Sequence, residues 1–462
     1  MSLFLRLGWL LSLVYFLYLH NLDGVGLLGP DEPRYAWIGR EMARSGDWVT
    51  PRLWGEAWFE KPPLLYWLTA AGFRAGLGND LAPRLPIALL SVCFLAAYYF
   101  LLREQLGNDA ALYATAMLGT SAGWLAYSHL GLTDLPLSAT FALAMLFCMR
   151  WITDGETSRL PLAGVCLGLA LLAKGLVPLV LSIPLVWFAR QRLKDLWKLA
   201  LPAVAVAAPW YGVCYARNGP VFWEELILRH HLGRFVSADL QHVQPFWFYV
   251  PVLAGGLFPW SFLLAWLRRP QNLIERFFGL WAGFGFLFFS LSVNKLPGYL
   301  LPLLPAIFAL AGANLARSRH LAAFLALTAA MLALLPTLAS ILPQAVDDGL
   351  SRTNPDFRPL LLAPLFGGLI LLAVRWSHAR RAFGVVITLL AGGLLYLQAQ
   401  SYPALNEQGS ARQAWRKLAG QPQSQCLENP RRAFRYQMNY YAERALPDCE
   451  TRSTSPPPGG LR

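Results

Sequence analysis

Leu85-Pro86-Ile87-Ala88-Leu89-Leu90-Ser91-Val92-Cys93-Phe94-Leu95-Ala96-Ala97-Tyr98-Tyr99-Phe100-Leu101-Leu102 runs without a single charge. An α-helix rises about 1.5 Å per residue, so a run of this length nearly crosses a hydrocarbon core about 30 Å thick. Within such a core the backbone must satisfy its own N–H and C=O groups, which leaves the helix as the form of the segment. It belongs to an apolar segment read at roughly 83–102. Others recur at roughly 3–20, 109–128, 132–150, 160–174, 176–189, 197–215, 245–266, 274–292, 299–316, 320–342, 359–375 and 382–399. The pattern predicts an all-α polytopic membrane protein with about 13 transmembrane helices. A membrane β-barrel would instead show segments of about ten residues alternating polar with apolar, and none dominate here.

Composition agrees. The chain has 462 residues, 56% of them hydrophobic and 14% charged, with a mean hydropathy of +0.41. A soluble globular protein carries about 25% charged residues, so an ordinary cytosolic enzyme and a disordered chain are both excluded. The formal net charge is +13. In a soluble protein that excess would suggest nucleic acid; here the placement of the charges identifies it as the positive-inside bias, and no nucleic-acid partner is expected. With the N-terminus in the cytoplasm, the short inside loops hold Arg103, Arg150 and Arg159, then Arg190, Arg192, Lys194 and Lys198. They continue with Arg268, Arg269 and Arg276, Arg317 and Arg319, and Arg375, Arg380 and Arg381. The first span lacks an A-x-A-like cleavage site and is read as a retained anchor. The organisation predicted is a membrane domain over 1–400, whose first outer loop is 21–82, a small outer C-terminal region over 401–452, and a disordered tail over 453–462.

Cys93, Cys148, Cys166 and Cys214 fall in apolar spans, where cysteine behaves as a small hydrophobe. Cys426 and Cys449 share the outer tail, and an oxidising compartment is compatible both with their pairing and with two free thiols.

Chemistry concentrates on the outer side. The 21–82 loop is dense in charge and tryptophan, and its stretch from Tyr35 to Ser45 has the amphipathic pattern of a helix lying in the membrane interface. Asp31-Glu32-Pro33-Arg34-Tyr35 opens that helix. An acid ahead of a proline is a natural helix start; equally, Asp31 or Glu32 can face a surface cavity as base or electrostatic partner. Upstream, Gly24-Val25-Gly26-Leu27-Leu28-Gly29 matches G-x-G-x-x-G but follows a membrane helix rather than a strand, so no nucleotide cofactor is inferred. Phe59-Glu60-Lys61-Pro62-Pro63 is either an exposed turn with a weak local ion pair, or a site where Lys61 binds an anion and Glu60 a metal or sugar. Asp134 sits at the outer end of a span, as a cap or as a functional acid.

The loop 216–244 carries Arg229-His230-His231-Leu232-Gly233-Arg234, then His242. Adjacent histidines do not share a helix face, so a His-His metal pair is disfavoured, while Arg234 suits a phosphate. Asn294-Lys295-Leu296-Pro297-Gly298-Tyr299 lies outside between two spans. Lys61, Arg234 and Lys295, all on one side at similar depth, form a candidate cationic patch for a lipid-linked phosphate whose tail stays in the bilayer.

Taken in order, Asp31 to Ala36, Ser45-Gly46-Asp47-Trp48, Phe59 to Leu64, Thr133-Asp134, His231 to Phe235, Pro245 to Tyr249 and Lys295 to Tyr299 resemble the aminoarabinose transferases. These are relatives of the protein O-mannosyltransferases, with the GT-C membrane fold. The resemblance covers roughly 1–400 and implies a glycosyltransferase. It would take a sugar from a polyprenyl phosphate, usually undecaprenyl phosphate, to lipid A or another lipid or glycan acceptor at the periplasmic face of a bacterial inner membrane. On the family pattern Asp31 and Asp134 are the important acids. Lys61, Arg234, Lys295 and Tyr299 are donor-phosphate ligands, and Glu32, Arg34 and Tyr35 contact substrate. Glu60 and His231 are the pair for a divalent cation. Two features depart from the family: a tail of about sixty residues in place of a larger soluble domain, and His230-His231 where Glu-His is usual. The competing classes are a transporter or lipid flippase, for which only Lys174 is placed to serve at mid-membrane, and an assembly scaffold without chemistry.

Overall fold

The computed structural model describes residues 3–233, 243–348, 353, 379–419 and 426–449. The span expected at 359–375, the tail 453–462, Arg234 and His242 lie outside the described residues, as does the side chain of His231.

The protein is an all-α polytopic membrane fold. Among the described residues seven helices are long and apolar enough to cross a membrane: Leu85–Leu106, Asp134–Asp154, Leu193–Asn218, Leu273–Leu291, Pro297–Ala316, Leu321–Val346 and Ala382–Gln408. That corrects the expected count of about 13. Four further expected spans are shorter apolar helices, Phe4–Leu19, Leu160–Lys174, Val177–Phe188 and Phe246–Leu257.

The shortfall has local causes. The stretch 109–128 is two helices, Asn108–Gly119 and Ala122–Ser128. At the break, Thr120 Oγ1 and Ser121 Oγ bond back to the carbonyls of Ala116 and Leu118. Such bonds offer the backbone an alternative to the helical ladder. The Ala122 N–H donates instead to the Phe258 carbonyl at 2.8 Å, so the break is stitched to a neighbouring segment. Gly175, at φ 68°, separates the pair at 160–188, and Pro259 follows the end of the helix at Leu257.

Two spans form the centre. Asp134–Asp154 and Pro297–Ala316 are the most buried of the seven, and both begin at the outer face beside the candidate residues. The first outer loop folds onto the bundle. Its helix, Asp31–Ser45, starts four residues earlier than the pattern from Tyr35 suggested, with Pro33 in its first turn and Gly46 in the left-handed conformation closing it. A two-stranded hairpin, Arg52–Leu53 with Glu56–Ala57, follows, then the helix Leu64–Arg74.

The last membrane helix runs unbroken from Ala379 to Gln408, so the small C-terminal region grows directly out of it. That region adds the helices Arg412–Leu418 and Arg432–Ala442 and a disulfide between Cys426 and Cys449. Closing a loop with a sequence separation of 23 contributes about 3 kcal/mol in the chain-entropy account. The region packs on the first outer loop. Arg412 donates to Asp80 and to the carbonyls of Asp23 and Gly24, and Arg40 donates to the Tyr440 carbonyl at 2.6 Å.

Candidate active site

The first acid does not cap its helix. The N-cap position is Pro30, without a side-chain bond. Asp31 instead pairs with Arg34 one turn on, and its side chain is 41% exposed while that of Arg34 is 4% exposed. Arg34 Nη1 donates to Glu60 Oε2 at 3.0 Å, and Lys61 Nζ lies 3.4 Å from Glu60 Oε1. The order carboxylate, guanidinium, carboxylate, ammonium therefore runs across the outer surface, built from two segments that the sequence separates by 26 residues. Burial works against the charge on Arg34, but Glu60 and Asp31 outweigh it and hold the guanidinium above its ordinary range. Tyr35 and Tyr66 are fully buried beside this row, and burial together with Glu60 and Asp31 pushes both phenols well up. Both are therefore neutral O–H donors at physiological pH. The Tyr66 hydroxyl is buried and has no hydrogen-bond partner among the described residues.

Glu32 takes a different place from its neighbour. It is buried, and its two oxygens accept from Arg84 Nε at 2.7 Å and Nη2 at 2.8 Å, from the Leu28 N–H at 2.8 Å and from the Gly131 N–H at 2.9 Å. A carboxylate so saturated is an anchor between segments and presents no lone pair to a substrate.

A second group forms at the outer end of Asp134–Asp154. Asp134 Oδ1 accepts from Lys174 Nζ at 2.6 Å, and that ammonium stands 4.7 Å from the Tyr299 ring centroid. Lys174, the residue a transport reading would use, is thus held by Asp134. The Tyr127 hydroxyl shares the space over Gly298 with Asp134. Tyr127 also lines a cavity of about 220 Å³ whose other walls include Val252, Leu253, Leu300 and Leu304. Lys295 is buried in the linker between two spans, where it donates to the carbonyls of Gln244 and Ser292, and burial lowers its pKa. Its ammonium thus ties its own linker to the end of the 216–244 loop. The patch of three cations is not assembled among the described residues, since Arg234 lies outside them.

Sequence reasoning did not single out Tyr127, Tyr66 or Arg84, and weighed Lys174 only as the one mid-membrane candidate of a transport reading. For Lys174 a signal existed: a lysine ending an apolar run demands a partner, and Asp134 was the acid at similar depth. Gly298 marks how tightly that second group is packed. A Cβ there would stand 2.5 Å from Asp134 Oδ1 and 2.6 Å from the Tyr127 hydroxyl. Gly298→Ala is expected to lower turnover at least tenfold with the melting temperature little changed; an unaltered rate would show that Asp134 is free to move.

Glu60 pairs with Arg34 and Lys61, and the side chain of His231, the other expected ligand, lies outside the described residues. No group of three His, Cys, Asp or Glu is arranged to hold a metal among the described residues.

The chain is similar to known proteins over most of its length. The family profile described as dolichyl-phosphate-mannose-protein mannosyltransferase matches residues 60–211. The chain is 34% identical over 320 residues to the undecaprenyl phosphate-alpha-4-amino-4-deoxy-L-arabinose arabinosyl transferase of Erwinia tasmaniensis, covering 64% of this chain and 57% of that one. It is 34% identical over 338 residues to the enzyme of the same name from Pseudomonas paraeruginosa, covering 68% and 61%. The chain thus spans a little under two thirds of the length of these curated relatives. The crystal structure of ArnT from Cupriavidus metallidurans bound to undecaprenyl phosphate superposes with a TM-score of 0.78 at 25% identity, over 96% of this chain and 86% of that one. The archaeal oligosaccharyltransferase AglB from Archaeoglobus fulgidus, at 14% identity and a TM-score of 0.51, covers 97% of this chain and 65% of its own and shares the fold alone.

Proposed function

Because the chain is an aminoarabinose-transferase-like member of the GT-C superfamily, we propose that it transfers a sugar from a polyprenyl phosphate to an envelope acceptor. The reaction takes place at the periplasmic face of a bacterial inner membrane, with undecaprenyl phosphate as carrier and lipid A or another lipid or glycan as acceptor. The observation that carries this reading is the pair of acids, each held by a cation, with Tyr127 between Asp134 and an apolar cavity. An apolar wall next to fixed charges suits a substrate with a prenyl chain at one end and a sugar phosphate at the other.

In transfer, the bond between the sugar anomeric carbon and the phosphate oxygen breaks, and a bond from that carbon to an acceptor oxygen forms. Prenyl phosphate leaves with the electron pair, so negative charge grows on it. Fixed cations stabilise that growth without reorganising at the moment of reaction. Lys61, Arg234, Lys295 and Tyr299 are the proposed donor-phosphate ligands, and Lys174, 4.7 Å from the Tyr299 ring, joins them. For a hydroxyl acceptor, Asp31 takes the proton. For a phosphate acceptor the nucleophile is already ionised, and Asp31 steadies positive charge developing on the sugar. Arg34 and Tyr35 orient the site, with Glu32 as its anchor.

Mass spectrometry of envelope lipids and glycans from cells with and without the protein is the decisive experiment. A sugar present only with the protein supports the reading, and identical envelopes reject it. A divalent cation on Glu60 and His231 is a separate proposal: a chelator should abolish transfer and added cation restore it, whereas an unchanged rate removes the metal from the reaction.

A further inference from the structure

We propose that Tyr436 is a positioning residue for transfer, acting through Arg34 on Asp31 and Glu60, so that the disulfide-closed C-terminal segment is a working wall of the site. The inference rests on the proposed transferase reading and extends it to a segment lying beyond every motif of the family resemblance.

Arg34 is the joint of the first group. The edge of its guanidinium faces two carboxylates, Asp31 and Glu60. Aromatic rings surround it, with the Tyr436 centroid 5.1 Å and the Trp58 centroid 5.7 Å from Cζ. A planar cation bonded along its edge and packed by rings has little freedom to turn, which fixes where the Asp31 carboxylate points. Trp58 belongs to the first loop, but Tyr436 arrives from the helix Arg432–Ala442 at the far end of the chain.

Tyr436 is itself held. Its ring stacks on Trp54 at 5.4 Å with planes 15° apart. Trp54 occupies the tip of the hairpin at φ 54°, next to Gly55 at φ 86°. A tryptophan in the left-handed region is disfavoured, and such a conformation persists where surrounding contacts over-determine it. The same helix is tied to the first-loop helix by Arg44 Nη2 to Glu443 Oε2 at 2.6 Å and by the bond from Arg40 to the Tyr440 carbonyl. The disulfide brackets it at Cys426 and Cys449. The first outer loop and the C-terminal segment therefore make one unit. Through Tyr436 the C-terminal segment packs on Arg34 in the charged row.

The test uses the full chain reconstituted with undecaprenyl-phosphate-linked aminoarabinose, with melting temperatures measured in parallel. Tyr436→Phe keeps the ring and should retain kcat within twofold. Tyr436→Ala should lower kcat at least tenfold, with KM for the donor shifted less than threefold and the melting temperature within a few degrees of wild type. The pair Cys426→Ser with Cys449→Ser should reproduce that loss and make the rate indifferent to dithiothreitol, which should slow the wild type. Hydrogen exchange of the peptide covering the first turn of Asp31–Ser45, read by mass spectrometry, should quicken at least tenfold in Tyr436→Ala. That arm needs no turnover, so it judges the contact even where the wild type transfers nothing and the transferase reading itself has failed. Unchanged exchange in Tyr436→Ala overturns the proposal. So does wild-type kcat in that variant, or an equal loss in Tyr436→Phe, which would mean that the hydroxyl meets substrate directly.

Discussion

Asp31→Asn and Lys61→Ala are each expected to lower sugar transfer by roughly two to four orders of magnitude while the protein inserts and folds, the range a positioned acid, base or charge supplies. The two residues fail for different reasons. Asp31 is the more exposed acid of its row, and its loss leaves Arg34 still bonded to Glu60 and to the Pro30 carbonyl. The fold keeps its joint and loses the carboxylate that faces outward. Lys61 is buried beside Glu60, and its removal leaves that carboxylate with Arg34. What disappears is the ammonium proposed to bind the leaving phosphate. The asymmetry appears in the kinetics. Asp31→Asn should depress kcat with little change in KM for the donor, because its charge acts on the sugar or the acceptor. Lys61→Ala should raise KM as well, because the phosphate is bound before it leaves. Rates in proteoliposomes, normalised to folded protein by thermal unfolding, check both. Wild-type-like activity in the two variants would remove the first loop from the reaction.

How much of this was legible beforehand depended on sequence distance. The acids and bases of the first loop stood out because an outer loop of a membrane protein has little other reason to be so charged, and Asp31, Arg34, Glu60 and Lys61 do meet. The contact of Asp134 with Lys174 spans 40 residues. Asp134 looked like a helix end and Lys174 like a mid-membrane charge, and only the packing of Leu160–Lys174 against Asp134–Phe147 brings them together. Lys295 reads from the sequence as a snorkelling residue or a member of a cationic patch, whereas the fold brings Gln244 from another loop to share its ammonium with Ser292. Helix breaks were hidden for a physical reason too. Hydropathy reports how apolar a stretch is, whereas the break at Thr120 and Ser121 is made by two hydroxyls competing for backbone carbonyls. The contribution of Tyr436 was beyond reach, since nothing local announces which distant ring will pack on an arginine.

Arg84→Ala and Glu32→Ala are each expected to destabilise the protein by about 3–5 kcal/mol, the cost of leaving one member of a buried ion pair uncompensated. The pair is 3% and 1% exposed. Arg84 also donates to the carbonyls of Leu22, Val25 and Gly26, so one guanidinium gathers the strand of chain leaving the first helix. Without it, Glu32 keeps only the Leu28 and Gly131 N–H groups; without Glu32, Arg84 keeps only carbonyls. Replacing both by apolar side chains, Glu32→Leu with Arg84→Met, should cost clearly less than the sum of the two singles, because no lone charge is left behind. Function should fall even in that double variant. Glu32 adjoins Asp31 and accepts from Gly131, three residues before Asp134, so one carboxylate sets the spacing between the two acids of the site. Thermal unfolding of the two singles and the double, followed by transfer rates on the folded fraction, separates the two effects. A double variant that regains stability but not turnover is the expected result. Full turnover in it would mean that the acids find their places without this clamp, and singles as stable as wild type would mean that the charges are solvated rather than buried.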